Sequence, residues 1–140
     1  MKSASFREDD EKVLLEILGD ESYYQGLRRE AILTLERVRP LSSRGLAALR
    51  RAGNDGDWLV FTSATECLIR LGLDSSETLD KIRETLSHSS FGMRRWAAET
   101  LGKLGPRARD AIPALIATTD DRDEDVRSAA VEALRTIRNE

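Results

Sequence analysis

The sequence has one cysteine, one histidine, three prolines and only 5% aromatic residues. A single cysteine excludes an internal disulfide and any zinc site built from several cysteines. A single histidine removes the usual catalytic dyads and most metal clusters. We therefore predict a protein without catalytic residues, metal ligands or a cofactor.

Long hydrophobic runs and an excess of charge of one sign are also missing. Apolar runs, such as residues 13–15, are far too short to cross a membrane, and residues 1–10 contain no apolar segment of a secretory signal. The 22 basic and 25 acidic residues give a net charge of −3, which does not indicate a large phosphate-binding surface. These features predict a cytoplasmic protein with no membrane contact, folded as a single domain over residues 1–140.

What the sequence does contain is a repeat. At an offset of 33 residues, the segments 27–38, 60–71, 93–104 and 126–137 align without gaps. Their shared apolar positions are spaced i, i+4, i+8 and i+11, which places them on one face of a helix. The four apolar columns are Leu27, Val60, Met93 and Val126; Ala31, Ala64, Ala97 and Ala130; Leu35, Leu68, Leu101 and Leu134; and Val38, Leu71, Leu104 and Ile137.

A second, shorter helical pattern precedes each of these segments, so each repeat is predicted to be helix–turn–helix. Asp57, Ser90 and Asp123 stand immediately before the second helices, where they can cap them. We place the repeats near 8–39, 42–72, 75–105 and 108–138. The predicted helices lie near residues 8–18, 25–38, 43–52, 58–71, 76–86, 91–104, 109–118 and 124–138.

The stretches 93–106, 111–116 and 121–130 resemble the HEAT-repeat pattern, and more narrowly the short bacterial HEAT-like repeats of bilin lyases. The similarity is strong over 76–140, moderate over 43–72 and weak over 1–40. It implies an all-α, right-handed α-solenoid of about four repeats (eight helices). It also implies a non-catalytic scaffold or adaptor that grips another protein on the surface lined by the second helices.

Arginine recurs at one position of the second helices, as Arg28, Arg94 and Arg127, with Phe61 interrupting the column. One interpretation is a ladder of ion pairs between repeats, to turn acids such as Asp55 and Asp121. The other is a site for an anion or an acidic partner, to which Arg29 and Arg95 would add.

The second helix of the second repeat carries two apolar stripes. Besides its core stripe, Trp58, Phe61, Thr65 and Ile69 follow one another at i, i+3, i+7 and i+11, more than 90° away. We interpret this second stripe as the centre of a partner surface with an arginine rim, the alternative being that Trp58 and Phe61 fill the junction between repeats. The predicted partner-binding residues are Trp58, Phe61, Thr65, Ile69, Arg94, Arg95, Ile32 and Arg28.

The remaining chemically active residues have structural explanations. Cys67 replaces small residues beside the core and is predicted to be buried. His88 is predicted to lie in a solvated turn, and the carboxylates of Glu66, Glu99 and Glu132 to be solvated or paired. The acidic turn 120–125 suits a helix N-terminus better than a calcium loop.

The sequence thus favours a protein–protein interaction module whose partner is another protein or a second copy of the chain, as a homodimer. A nucleic-acid-binding repeat protein and a bilin lyase or bilin chaperone remain as alternatives. Balanced charge disfavours the first, and only the family resemblance suggests the second.

Overall fold

A computed structural model describes residues 8–38 and 40–139, and this part of the chain is helical with no strand. The all-α prediction is therefore confirmed. The helices are α1 (Glu8–Gly19), α2 (Gln25–Leu35), α3 (Ser43–Ala52), α4 (Trp58–Arg70), α5 (Ser76–Thr85), α6 (Phe91–Leu104), α7 (Ile112–Thr118) and α8 (Glu124–Arg138), with a 3-10 helix at Gly105–Ala111 before α7. The prediction about the N-terminal leader falls largely on residues 1–7, outside the described residues.

Helix boundaries follow the capping residues. The Asp57 carboxylate accepts hydrogen bonds from the backbone N–H groups of Leu59 and Val60, and Asp123 accepts one from Val126. Ser90 precedes α6 as predicted, but its side chain makes no capping bond. The α7 helix begins at Ile112 rather than near 109, because the chain after Gly105 first forms the 3-10 helix.

The chain divides into two compact units, 1–74 and 75–140. The boundary coincides with the predicted border between the second and third repeats. Each unit therefore holds two helix–turn–helix repeats. A single repeat domain over the whole chain stays a prediction.

In the first unit the two second helices, α2 and α4, pack against each other, α1 packs on α2 and α3, and α3 packs on α4. Leu18, near the end of α1, is buried. The buried apolar core comprises Leu18, Ala31, Ile32, Leu35, Val38, Ala48, Leu49, Ala52, Val60, Ala64, Cys67 and Leu68.

In the second unit α6 and α8 are the most extensively packed pair of helices, and α5 and α7 cover them. Small residues allow this approach: a Cβ atom at Gly102 would lie 3.1 Å from the Cα atom of Ala133. The core includes Ile82, Met93, Ala97, Leu101, Leu104, Leu115, Val126, Ala130, Leu134 and Ile137.

Candidate partner surface

The recurring arginines are used inside each unit. In the first, Arg28 Nη2 lies 2.5 Å from Asp55 Oδ2, and its Nε and Nη2 also donate to the Leu18 carbonyl. Both side chains are largely buried. The ladder interpretation is confirmed for this pair, and Arg28 has little surface left for a partner.

Arg94 makes the equivalent connection in the second unit. Its Nε and Nη2 donate to the two carboxylate oxygens of Asp121 at 2.9 and 3.1 Å, and its Nη1 donates to the carbonyls of His88 and Ser89. This bidentate geometry satisfies the guanidinium. The prediction of Arg94 as a partner-binding residue is accordingly corrected: the side chain is buried and ties two repeats together.

These contacts lower the pKa values of the two aspartates. The hydrogen bonds from Arg94 lower the pKa of Asp121 below its ordinary value, against an opposing effect of burial. Burial alone would raise the pKa of Asp55, but the hydrogen bonds from Arg28 and from the backbone N–H of Asp57 outweigh it and lower the pKa. Both carboxylates are therefore held in their charged form.

The second apolar stripe of α4 is only partly accessible. Trp58, the first residue of α4, is 61% exposed and Ile69 is half-buried, whereas Phe61 is 5% and Thr65 2% exposed. Ile32, at the matching position of α2, is fully buried. Burial removes Phe61, Thr65 and Ile32 from any accessible surface, which corrects that part of the predicted set.

Packing on two sides explains the burial. Within the first unit, α4 contacts both α3 and α2, so it buries one face toward its own repeat and another toward the preceding one. A stripe more than 90° from the core stripe can therefore still be interior. A second apolar stripe in the sequence can therefore indicate packing between neighbouring second helices just as well as a partner surface.

Of the three arginines in the predicted partner-binding set, Arg95 is the one whose side chain reaches solvent, and its Nε lies 2.8 Å from Glu99 Oε1. It lines a groove of about 480 Å³ between α6 and α8, which we call the α6–α8 groove. The floor consists of the small residues Ala98, Gly102, Ala129 and Ala133.

The walls of the α6–α8 groove carry alternating charges. Arg95, Glu99 and Lys103 follow one another on α6, and Asp125 and Glu132 lie on α8. The volume is within the range of protein ligand pockets, but Ala98 and Ala133 on the floor are only 0% and 2% exposed.

Sequence reasoning missed this groove and two exposed aromatic residues. Phe91, the first residue of α6, is 55% exposed and stands 33 positions after Trp58, in the same column. Tyr24, immediately before α2, is 68% exposed. The signal was available, because large apolar residues recur at the starts of consecutive second helices.

The other predictions about reactive residues agree with the structure. Cys67 is fully buried, and His88 is exposed with its Nδ1 accepting the backbone N–H of Ser90. Glu66, Glu99 and Glu132 each pair with an arginine on the same helix. Over residues 8–38 and 40–139, no cluster of potential metal ligands occurs and no helix is long and apolar enough to span a bilayer.

Comparison with known proteins places this geometry in a family. Over 64 residues, 45% of this chain, the sequence is 42% identical to a HEAT repeat-containing taxis protein of Halobacterium salinarum, of which the match covers 16%. This relative is archaeal, and the bacterial source that the resemblance to bilin-lyase repeats implies stays a prediction. The fold matches the crystal structure of an engineered protein with a TM-score of 0.59 and 18% identity, over 94% of this chain and 63% of that one.

The chain thus spans less than two thirds of either protein's length. The sequence model of HEAT repeats matches residues 54–135, from the turn before α4 to the last turns of α8. Since this match covers more than half of the 140 residues, the chain belongs to the HEAT repeat family.

Proposed function

We propose that this chain is a non-catalytic scaffold or adaptor that binds a partner protein through the exposed surface of its second helices. HEAT repeats generally mediate protein–protein interaction and are generally non-enzymatic. The observation that carries the proposal is that Trp58 and Phe91 begin two second helices with more than half of each side chain exposed.

Leaving such side chains in water is costly, at about 25 cal/mol for each Å² of apolar surface. Tryptophan is also among the residues enriched at the energetic centres of interfaces. In the first unit Ile69 is also accessible on the helix that Trp58 begins, and in the second unit Arg95 is accessible on the helix that Phe91 begins.

The charges give less support to the alternatives. Arg28 and Arg94 are occupied by Asp55 and Asp121, and the exposed charges of α6 alternate in sign. A phosphate backbone favours a continuous positive surface, which argues against nucleic acid. The Cys67 thiol is buried, so it offers no accessible nucleophile for attaching a bilin.

The test is affinity capture from an extract of the native host with the unmodified protein, Trp58→Ala, Phe91→Ala and Ile116→Ala. Ile116 is a matched control, because it is 48% exposed but lies on the first helix α7. We expect one protein to be captured by the unmodified chain and the control, and at least about tenfold less by a Trp58 or Phe91 variant. Equal capture by all four, or capture of no protein, would overturn the proposal.

Sedimentation of the purified chain tests the homodimer alternative. A dimer that Trp58→Ala dissociates would identify the partner as a second copy. A monomer at all accessible concentrations leaves a different protein as the partner.

A further inference from the structure

Arg127, in the first turn of α8, occupies the same position of the repeat as Arg28 and Arg94. Its Nη1 donates hydrogen bonds to the backbone carbonyls of Asp121 and Arg122, at 2.9 and 3.2 Å. These acceptors stand six and five residues earlier in the chain. The Nη1 of Arg94 donates in the same way to the carbonyls six and five residues before it. Both guanidinium groups are therefore held by equivalent contacts with the turn before their own helix.

The remaining donors are bonded in Arg94 and free in Arg127. The Nε and Nη2 of Arg94 bind the Asp121 carboxylate, and Arg28 binds the Asp55 carboxylate in the first unit. Within residues 8–38 and 40–139, the half-buried Arg127 forms no ion pair, and its Nε and Nη2 donate to no acceptor. Arg127 thus keeps the donors with which the other two arginines hold a neighbouring repeat.

Val131, one turn beyond Arg127, is an exposed apolar residue at a position that is buried in other repeats. It is 47% exposed, whereas Ile32 on α2 and Ala98 on α6 are both 0% exposed. Val131 stands two residues before Ala133, the residue that α6 approaches. At about 100° per residue, two residues place it about 160° around the helix from that contact. Val131 therefore lies on the side of α8 that faces away from α6.

We call this side of α8 its outer face, and its charge is mainly positive. It consists of Glu124, Arg127, Val131, Arg135 and Arg138. Three arginines thus stand against one glutamate. Arg135 also pairs with Glu132 on the same helix, at 3.3 Å, but both side chains are more than half exposed. Exposed pairs of this kind are weak, so Arg135 can still bind an acid of a partner.

The two ion pairs inside the units show what structure an arginine at this position binds. Asp55 and Asp121 each stand two residues before the residue that caps the next helix, Asp57 or Asp123. The Oδ1 of each also accepts the backbone N–H of that capping residue at 2.9 Å. This bond fixes the carboxylate in the turn, where the arginine of the preceding repeat reaches it. Arg127 is therefore suited to a helix that follows an aspartate–x–aspartate turn.

Arg135 adds a second requirement for such a helix. It takes the position of Glu36, whose Oε1 lies 2.6 Å from the Nε of Arg70 on the next second helix. Arg70 stands 15 residues after Asp55. Because arginine replaces glutamate on α8, a helix that packs there in the same way needs an acid at this place.

We infer that the outer face of α8 binds a helix of a different protein that follows an aspartate–x–aspartate turn. The first aspartate of the turn binds Arg127, an apolar side chain covers Val131, and an acid near the end of the helix binds Arg135. The inference goes beyond the proposed function, because it uses neither Trp58 nor Phe91.

A second copy of the chain fits this face poorly. Its four positions equivalent to the binding aspartate are Ser22, Asp55, His88 and Asp121. Both aspartates are already bound within their own units, and serine and histidine have no carboxylate. The occupant is for this reason assigned to another protein.

The test uses two displayed libraries of peptides about twenty residues long. Both have a helix with the same randomised apolar face and a glutamate 15 residues after the first residue of the turn. One library begins with aspartate–glycine–aspartate, as at 55–57. The other begins with asparagine–glycine–aspartate, which keeps the helix cap and removes the carboxylate for Arg127.

Selected peptides are measured by fluorescence anisotropy on the full chain and on four variants. Arg127→Glu and Val131→Glu change the outer face of α8. Arg50→Glu is the control for an added negative charge, at an exposed arginine of α3. Val13→Glu is the matched control for Val131→Glu, because Val13 on α1 is 53% exposed.

We expect binders from the first library only, with affinity at least about tenfold weaker on Arg127→Glu and Val131→Glu. Both control variants should bind as the unmodified chain does. If circular dichroism shows that Arg127→Glu does not fold, Val131→Glu and the comparison of the two libraries decide. Equal yields from both libraries, binders that tolerate Val131→Glu, or no binders would overturn the inference.

Two further measurements test other occupants. A homodimer that Val131→Glu dissociates would make a second copy the occupant, and a DNA duplex that binds the unmodified chain but not Arg127→Glu would assign the face to nucleic acid. Either result would overturn the inference. Trp58→Ala and Phe91→Ala should bind the selected peptides normally, so their capture experiment reports on the proposed function alone.

Discussion

The position of Arg94 in the repeat determines the ion pair that its side chain forms. Residues 27 apart, Arg94 and Asp121, meet because the repeat brings the first turn of one second helix beside the turn that precedes the next. The same separation joins Arg28 to Asp55. An arginine at this position links two repeats, and the aspartate that it binds neutralises its charge.

This pairing makes stability depend on pH in a defined direction. Since the pKa of Asp121 is lower in the folded chain than its ordinary value, the pair contributes stability at neutral pH and loses it as the pH falls below about 4. We expect Asp121→Asn to lower the free energy of unfolding at neutral pH and to flatten its decrease between about pH 6 and 3. Urea titrations over this pH range measure both effects.

The control for that experiment is Asp80→Asn, which removes the exposed pair of Asp80 with Arg83. Its effect at neutral pH should be below about 1 kcal/mol, as for exposed ion pairs. If the stability of Asp121→Asn falls with pH as steeply as that of the unmodified protein, the Arg94–Asp121 pair does not cause the loss of stability in acid.

Cys67 should be unreactive in the native state, because its side chain is fully buried among the core residues of the first unit. We expect iodoacetamide to label it only after unfolding, with a rate that follows the unfolded fraction in urea. Mass spectrometry of the intact protein gives the labelled fraction. Rapid labelling of the folded chain would reopen a role for the thiol.

The sequence predicts where the helices begin and end better than it predicts which of their side chains are buried. The boundaries of α3 (Ser43–Ala52) and α6 (Phe91–Leu104) coincide with the prediction, because apolar periodicity, capping residues and the following turns are all local signals. The burial of Phe61 and Thr65 is not local. It depends on which neighbours a helix has, and a repeat helix has them on two sides.

The groove between α6 and α8 escaped prediction for a related reason. Ala98 and Gly102 are ordinary helix residues when considered alone, and only the structure shows that α8 packs closely against this part of α6. The Arg–Asp ladder, in contrast, could be proposed from the sequence because both partners recur with the repeat. A repeat pattern predicts the contacts that the repeats share. It does not predict a feature, such as this groove, that one pair of repeats has and the other pair lacks.

The close approach of α6 and α8 can be tested with two glycines of the same helix. A Cβ at Gly102 would meet the backbone of Ala133 at 3.1 Å, whereas one at Gly92 would meet only the Ser90 side chain at 3.7 Å. We expect Gly92→Ala to stabilise the protein by about 0.5 kcal/mol, since alanine favours the helix. Gly102→Ala should instead be destabilising by about 1 kcal/mol or more, because overpacking outweighs that gain.

Chemical denaturation of both glycine variants supplies the comparison. Equal stabilisation by the two alanines would mean that α8 can move away from position 102 without loss of folding free energy. The tight packing of α6 on α8 would then have no energetic importance.

Considered as a whole molecule, the chain combines two units that each contain their own core. The repeat period predicts the border between them, at residues 74 and 75, since a helix–turn–helix unit cannot be divided without exposing its core. What the period cannot predict is which surface a partner uses, because that depends on side chains that differ between repeats. HEAT repeat membership fixes the fold, and the partner must be established by experiment.

The second unit should unfold cooperatively. Leu101 is 1% exposed on α6, which packs against α5, α8 and the 3-10 helix, while α7 packs on α8. We expect Leu101→Ala to cost about 2–5 kcal/mol and to raise amide hydrogen exchange by the corresponding factor in all four helices α5–α8. Ile116→Ala, at an exposed position of the same unit, should change exchange by less than about 0.5 kcal/mol. Faster exchange confined to α6 would show that the helices open one at a time, and the contacts between α6 and α8 would then not hold the unit together.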